Sequence, residues 1–286
     1  MRSASFNKEI GASVQQPALS KPGNLRLRFA SALVLGPLTL LMIYLGRPYF
    51  GIIMTVAASI MVWEWTRICH SGQLTRAGAL SIGAVAAAMM AVTLREYVIA
   101  GWVLLAGAMA ATYLSSLSVA RLGRPAWSAL GVLYTGAPCG AVVWLRDLPL
   151  QGMEIIYWLC FVVWATDTGA YMAGRLIGGP KLAPQISPNK TWAGLIGGML
   201  SAMGVGIAAS FAMPSSGALY LALMSALLAV VAQGGDLFES KFKREFGVKD
   251  SSNLIAGHGG FLDRLDGLLA ASLFVAALAW TKGGVL

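Results

Sequence analysis

The sequence predicts an all-α polytopic membrane protein of about nine transmembrane helices with its N-terminus in the cytoplasm. Three observations carry that expectation: a charge-poor composition, a series of apolar stretches long enough to cross a bilayer, and basic residues collected on alternate connections. The chain has 286 residues, of which 57% are hydrophobic and 12% charged; ordinary soluble domains carry roughly 25% charged residues. A soluble fold of this size would lack the polar residues to cover its own surface, so lipid is the solvent that remains.

A bilayer core of about 30 Å takes roughly 20 apolar residues of helix. Such stretches occur at 27–45, 49–66, 77–94, 97–119, 126–145, 153–174, 193–213, 216–235 and 267–281. A run isolated in lipid must satisfy its own backbone hydrogen bonds, which makes these helices. With the N-terminus inside, seventeen of the 21 Lys and Arg residues fall on cytoplasmic segments, and only Arg47, Arg95, Arg146 and Lys282 fall on the other side. The net charge of +9 is thereby explained by topology, and nucleic acid need not be invoked.

Three regions follow. Residues 1–24 are polar, without the apolar run of a signal peptide, and read as a flexible cytoplasmic tail. Residues 25–150 hold membrane helices with few polar features, and residues 151–286 hold the catalytic membrane region. Cys69, Cys139 and Cys160 lie scattered in apolar stretches and read as small hydrophobic fillers. The Gly174/Gly178 and Gly194/Gly198 pairs have the spacing that lets helices approach closely.

The polar residues inside the spans carry the chemistry. Glu64, between Trp63 and Trp65, suits either the membrane interface or a polar contact with the second half of the chain. Asp167 lies inside the sixth span, where a carboxylate is expensive and ordinarily faces a cavity or a partner. In the loop that follows, Pro188 marks a turn or helix break, and a helix is expected to start near Thr191, with Lys190 beside its N-terminus as a candidate phosphate ligand. From Gln233 to Asp266, some thirty residues hold half of the chain's twelve acidic residues beside Lys241, Lys243, Arg244, Lys249 and Arg264. Hard divalent cations take oxygen ligands, and Mg²⁺ is typically held by one or two carboxylates plus substrate phosphates. Asp236 and Asp263 could supply these, with Asp266 three residues further on. Gly257, Gly259 and Gly260 allow close backbone approach to an anion, and His258 suits a phosphate contact, proton transfer or a structural bond. Phosphoryl or nucleotidyl transfer is the chemistry such a set serves.

The segment Ser240-Lys241-Phe242-Lys243-Arg244, then Lys249-Asp250, then His258-Gly259-Gly260-Phe261-Leu262-Asp263-Arg264-Leu265-Asp266, closely resembles the signature of phosphatidate cytidylyltransferases, also called CDP-diacylglycerol synthases. Asp167-Thr168-Gly169-Ala170-Tyr171 and Ser187-Pro188-Asn189-Lys190-Thr191 also look like this family, so the resemblance runs from about residue 160 to 270, with the signature at 240–266. Ala256 stands where the family usually has proline, and Asn189 and Ala193 replace a common lysine and glutamate.

The resemblance implies that a phosphatidic acid phosphate attacks the α-phosphorus of CTP and pyrophosphate leaves, at the cytoplasmic face of a bacterial inner membrane. It makes Asp236 and Asp263 ligands of Mg²⁺, with room for a second cation, and Asp266 a supporting carboxylate. Lys243, Arg244, Lys249 and Arg264 become phosphate contacts, joined by Lys190; His258 is a further catalytic candidate. Asp167, Ser240, Gly259 and Gly260 complete the candidate substrate site, and two copies of such a helical chain could form a homodimer. A CDP-alcohol phosphotransferase would show an Asp-Gly…Ala-Arg pattern that is absent here. A cation-coupled transporter would spread Glu64, Asp167 and Asp236 along a path near the midplane; most carboxylates instead crowd one end of a helix pair.

Overall fold

The computed structural model describes residues 25–117, 124–255 and 259–283. The expected tail at 1–24, and Gly257 and His258 with it, lie outside the described residues. Nine α-helices are found among the described residues: α1 (Leu25–Leu45), α2 (Tyr49–Cys69), α3 (Arg76–Thr93), α4 (Tyr97–Ser116), α5 (Pro125–Arg146), α6 (Gly152–Leu176), α7 (Trp192–Ala209), α8 (Ala218–Glu245) and α9 (Leu262–Thr281). Seven of them, α2 to α8, are long and apolar enough to cross a membrane. Helix α1 is apolar from Leu33 to Leu45, and α9 carries Asp263, Arg264 and Asp266 in its first turns.

Local chemistry sets several helix starts. Thr75 caps α3 by accepting from Gly78 N at 3.1 Å, and Thr191 caps α7 by accepting from Gly194 N at 3.0 Å. Helix α7 therefore begins where the sequence pointed. Pro125 opens α5 at a position where a missing N–H costs nothing.

Two expectations are corrected. The connection before α7 is an antiparallel hairpin, β1 (Lys181–Ala183) with β2 (Ser187–Thr191), pairing Lys181 with Thr191 and Ala183 with Ser187. Pro188 sits in a strand here because a two-stranded ribbon leaves one side of each strand without a partner. The eighth helix, expected to end at 235, continues to Glu245. Its 28 residues span about 42 Å at 1.5 Å per residue, against a hydrocarbon core of about 30 Å. Polar residues that read as a loop are thus held on a rigid helix.

Small residues bring α6 and α7 together. A Cβ on Gly194 would meet the Ala170 carbonyl oxygen at 2.9 Å, and one on Gly198 would meet that of Thr166 at 2.9 Å. Gly178 takes no part: it follows the end of α6, with φ +67° and open space around its Cα.

An aromatic cluster ties α2, α5 and α8 together. Trp65, fully buried, stacks on Phe242 with centroids 3.7 Å apart and 7° between planes. Its indole Nε1 donates to the Trp127 carbonyl at 2.8 Å, and Tyr134 and Phe238 pack on the same ring. Cys69, Cys139 and Cys160 are free and buried, as fillers should be.

Candidate active site

The extension of α8 turns a polar run into a stripe. Asp236, Glu239, Ser240 and Lys243 stand at positions i, i+3, i+4 and i+7, which aligns them on one helix face. Lys190, projecting from β2, lies 2.6 Å from Asp236 Oδ2, and Ser240 Oγ donates to Asp236 Oδ1 at 3.3 Å. The sequence expectation for Lys190 as a phosphate ligand did not foresee this direct pairing. One turn further on, Lys243 Nζ donates to Asp263 Oδ1 at 2.6 Å and lies 3.2 Å from Glu239 Oε1.

Asp263 opens α9 and gathers donors from the segment before it. Its carboxylate accepts from Ser251 N at 3.0 Å, Ser251 Oγ at 3.0 Å and Gly260 N at 2.9 Å, besides Lys243. With about four lone-pair sites on a carboxylate, little acceptor capacity remains. The Gly260 N–H, a candidate anion donor in the sequence, is directed at Asp263 instead.

Asp266 accepts from Gly267 N at 2.7 Å and stands beside Glu239, within electrostatic reach of Asp236 and Asp167. Glu239 is fully buried. Lys243 Nζ pairs with it at 3.2 Å, and neither Glu239 oxygen has a full hydrogen bond among the described residues. Buried carboxylates side by side repel one another, and a hard cation is the group that offsets this. Among the described residues, no three His, Cys, Asp or Glu side chains form a preformed metal site. The two Glu239 oxygens without a hydrogen bond are hard oxygen donors, the kind a divalent cation takes.

The remaining expected residues occupy the rim. Asp167 is exposed on α6, within reach of Asp236, Lys190 and Arg264. Arg264 is exposed in the first turn of α9. Arg244 turns away to the Val248 carbonyl at 3.3 Å, and Lys249 is exposed beyond it. Gly259, with φ +85°, makes the turn that lets Gly260 face Asp263.

Glu64, Glu239, Ser251 and Ser252 were not singled out from the sequence as site residues. Glu64 is fully buried, which rules out the interface reading. It accepts from Ser251 Oγ at 3.2 Å, Phe261 N at 2.9 Å, Leu262 N at 2.7 Å and Ser252 Oγ. Its tryptophan neighbours and its being the one carboxylate on a largely apolar helix were the available signals. The partners, nearly two hundred residues downstream, were not legible. The same segment borders a cleft of about 740 Å³ lined by Trp63, Arg67, Phe246, Asp250, Ser252 and Asn253.

The chain is similar over most of its length to known proteins. A phosphatidate cytidylyltransferase of Brucella suis is 37% identical over 262 residues, covering 92% of this chain and 94% of that protein. One from Pseudomonas aeruginosa is 37% identical over 270 residues, covering 91% and 98%. One from Rickettsia bellii is 33% identical over 254 residues, covering 86% and 87%. The sequence profile of the cytidylyltransferase family matches residues 26–281, nearly the whole of the described structure, and the chain belongs to that family.

Proposed function

We propose that this chain transfers the cytidylyl group of CTP to phosphatidic acid, forming CDP-diacylglycerol and releasing pyrophosphate. The observation that carries the reading is the α8–α9 site: Asp236 and Asp263 each hold a lysine at 2.6 Å, beside the buried acidic pair Glu239 and Asp266. The phosphate of phosphatidic acid is already an anion, so the reaction needs no covalent enzyme intermediate and no strong base. It needs positioning and charge neutralisation.

Lys190 and Lys243 serve that need. Each is held in place by a carboxylate and can turn toward a phosphate without losing its partner helix. Arg264 and Asp167 flank the opening, and Arg244 and Lys249 form an outer basic rim. We assign Mg²⁺ to Asp236 and Asp263, with Asp266 in support. Asp263 would accept the ion by giving up Lys243, which has Glu239 as its second partner. When bound, the ion would withdraw charge from the phosphates and ease departure of pyrophosphate.

We further infer nine membrane crossings with a cytoplasmic N-terminus, in a bacterial inner membrane, with the site facing the cytoplasm. The basic connections and the substrate favour this orientation, since CTP is a cytoplasmic nucleotide and the lipid stays in its leaflet. Single cysteines at Lys181 and Arg95, in a background without the three native ones, test it. A membrane-impermeant thiol reagent applied to intact cells should label Arg95→Cys and spare Lys181→Cys; the reverse pattern would invert the topology.

The reaction is tested with detergent-purified protein, CTP labelled at the α-phosphorus, phosphatidic acid and Mg²⁺. Label should enter the lipid phase only when lipid acceptor and metal are both present, and EDTA should stop it. Transfer that persists in EDTA would overturn the metal assignment; no transfer by folded protein would overturn the reaction.

A further inference from the structure

Two consecutive residues of α2 reach the two sides of the Lys243–Asp263 pair. Trp65 stacks on Phe242, the residue before Lys243, at 3.7 Å between centroids. Glu64 accepts from the N–H groups of Phe261 and Leu262, the residues before Asp263, at 2.9 and 2.7 Å. We propose that Glu64 is a positioning residue for the transfer reaction: with Trp65 it sets the distance between the α8 lysine and the α9 carboxylate. The inference rests on the reaction proposed above and adds to it a residue from the half of the chain that carries no signature.

The geometry distinguishes Glu64 from a carboxylate that merely fills a polar gap. Each oxygen is an acceptor for a different backbone N–H: Oε1 takes Phe261, and Oε2 takes Leu262. These are the N–H groups of the residue that caps α9 and of the first residue within it, which have no partner in the helix. The negative charge also faces the positive end of the α9 dipole. Ser251 Oγ lies 3.2 Å from Glu64 Oε2 and 3.0 Å from Asp263 Oδ2. A hydroxyl has one proton, so it links the two carboxylates by donating to one at a time. The packing leaves no slack: a Cβ on Gly260 would collide with Ser251 Oγ and lie 2.7 Å from Glu64 Oε1. Asp263 takes donors from Ser251 and Gly260, and Glu64 takes them from Ser251, Ser252, Phe261 and Leu262, so the two carboxylates together fix the start of α9.

Glu64→Gln is the informative variant. It preserves volume but turns one acceptor into a donor facing a backbone N–H. Turnover should fall about a hundredfold, the scale of a misplaced reacting group, while KM for CTP stays within about threefold of the wild type. Amide exchange across residues 259–262, read by mass spectrometry on protein without substrate, should become about tenfold faster. Glu64→Asp, which keeps two acceptors, should recover part of the turnover. Glu154→Gln, in the first turn of α6, should leave both readouts unchanged.

A Glu64→Gln protein that elutes like the wild type and keeps turnover within about twofold would overturn the proposal. So would a raised KM with unchanged turnover, which would make Glu64 a binding residue. Should that variant fail to fold, Ser252→Ala decides, since Ser252 Oγ bonds Glu64 and has no part in the Asp263 contacts. Slower turnover with faster exchange supports the inference; wild-type values of both refute it. Because exchange is read without substrate, a wild-type protein that transferred no label would sink the reaction while the exchange result still judged the clamp.

Discussion

At the end of the bundle that carries Arg47, two arginines are bound into the neighbouring connections. Arg47 pairs with Asp147, donates to the Thr93 carbonyl at 2.7 Å and to the Tyr97 hydroxyl at 3.3 Å. Arg146 donates to the Ile43 carbonyl at 2.7 Å. These guanidinium groups satisfy carbonyls that helix ends leave without partners, and they join three connections. At the opposite end, Asp236, Glu239, Asp263 and Asp266 are gathered around Lys190 and Lys243. Carboxylates outnumber the lysines that touch them, and among the described residues the two Glu239 oxygens lack hydrogen bonds. Closed polar contacts hold a structure together; an open excess of one charge is held for a ligand of the other.

Substitutions at the two ends should therefore fail in different ways. The largest effect is expected at the acidic end. Asp236→Asn and Asp263→Asn should each lower transfer by about two to three orders of magnitude while size-exclusion profiles stay unchanged; a variant with near wild-type turnover at saturating Mg²⁺ would remove that residue from the metal assignment. Lys190→Ala and Lys243→Ala come next, with losses of about a hundredfold that an assay over a range of CTP concentrations can apportion. Arg244→Ala and Lys249→Ala, on the outer rim, should cost less than about tenfold, seen mainly at low CTP and diminished by added salt. At the other end, Arg47→Ala should leave turnover within about twofold but destabilise the fold by about 2 kcal/mol, visible as a lower thermal midpoint in detergent. A catalytic defect in Arg47→Ala with an unchanged midpoint would collapse the distinction between the ends.

The helices were legible because an apolar run of membrane length has few alternatives. All nine expected stretches correspond to helices among the described residues. The acidic stripe was legible as composition but not as geometry. Asp236, Glu239 and Lys243 follow Gly234 and Gly235, and charge after glycine reads as the end of a span; only packing of Phe238 and Phe242 against Trp65 shows why the helix continues. The hairpin was hidden by Pro188, which signals a break more often than a strand. Glu64 could be suspected but not assigned, since two of its donors are backbone N–H groups, which every residue type but proline supplies, and the other two are common serines.

That last contact also imposes an order of events on biosynthesis. Glu64 and its partners are 187 to 198 residues apart in the chain, and chains enter the membrane N-terminus first. Helix α2 is therefore made long before anything exists to receive its carboxylate, which must wait at the watery end of the helix while six more helices are added. The site becomes complete only when the last helix arrives, so a chain truncated before α9 lacks the Phe261 and Leu262 donors that Glu64 takes in the finished protein.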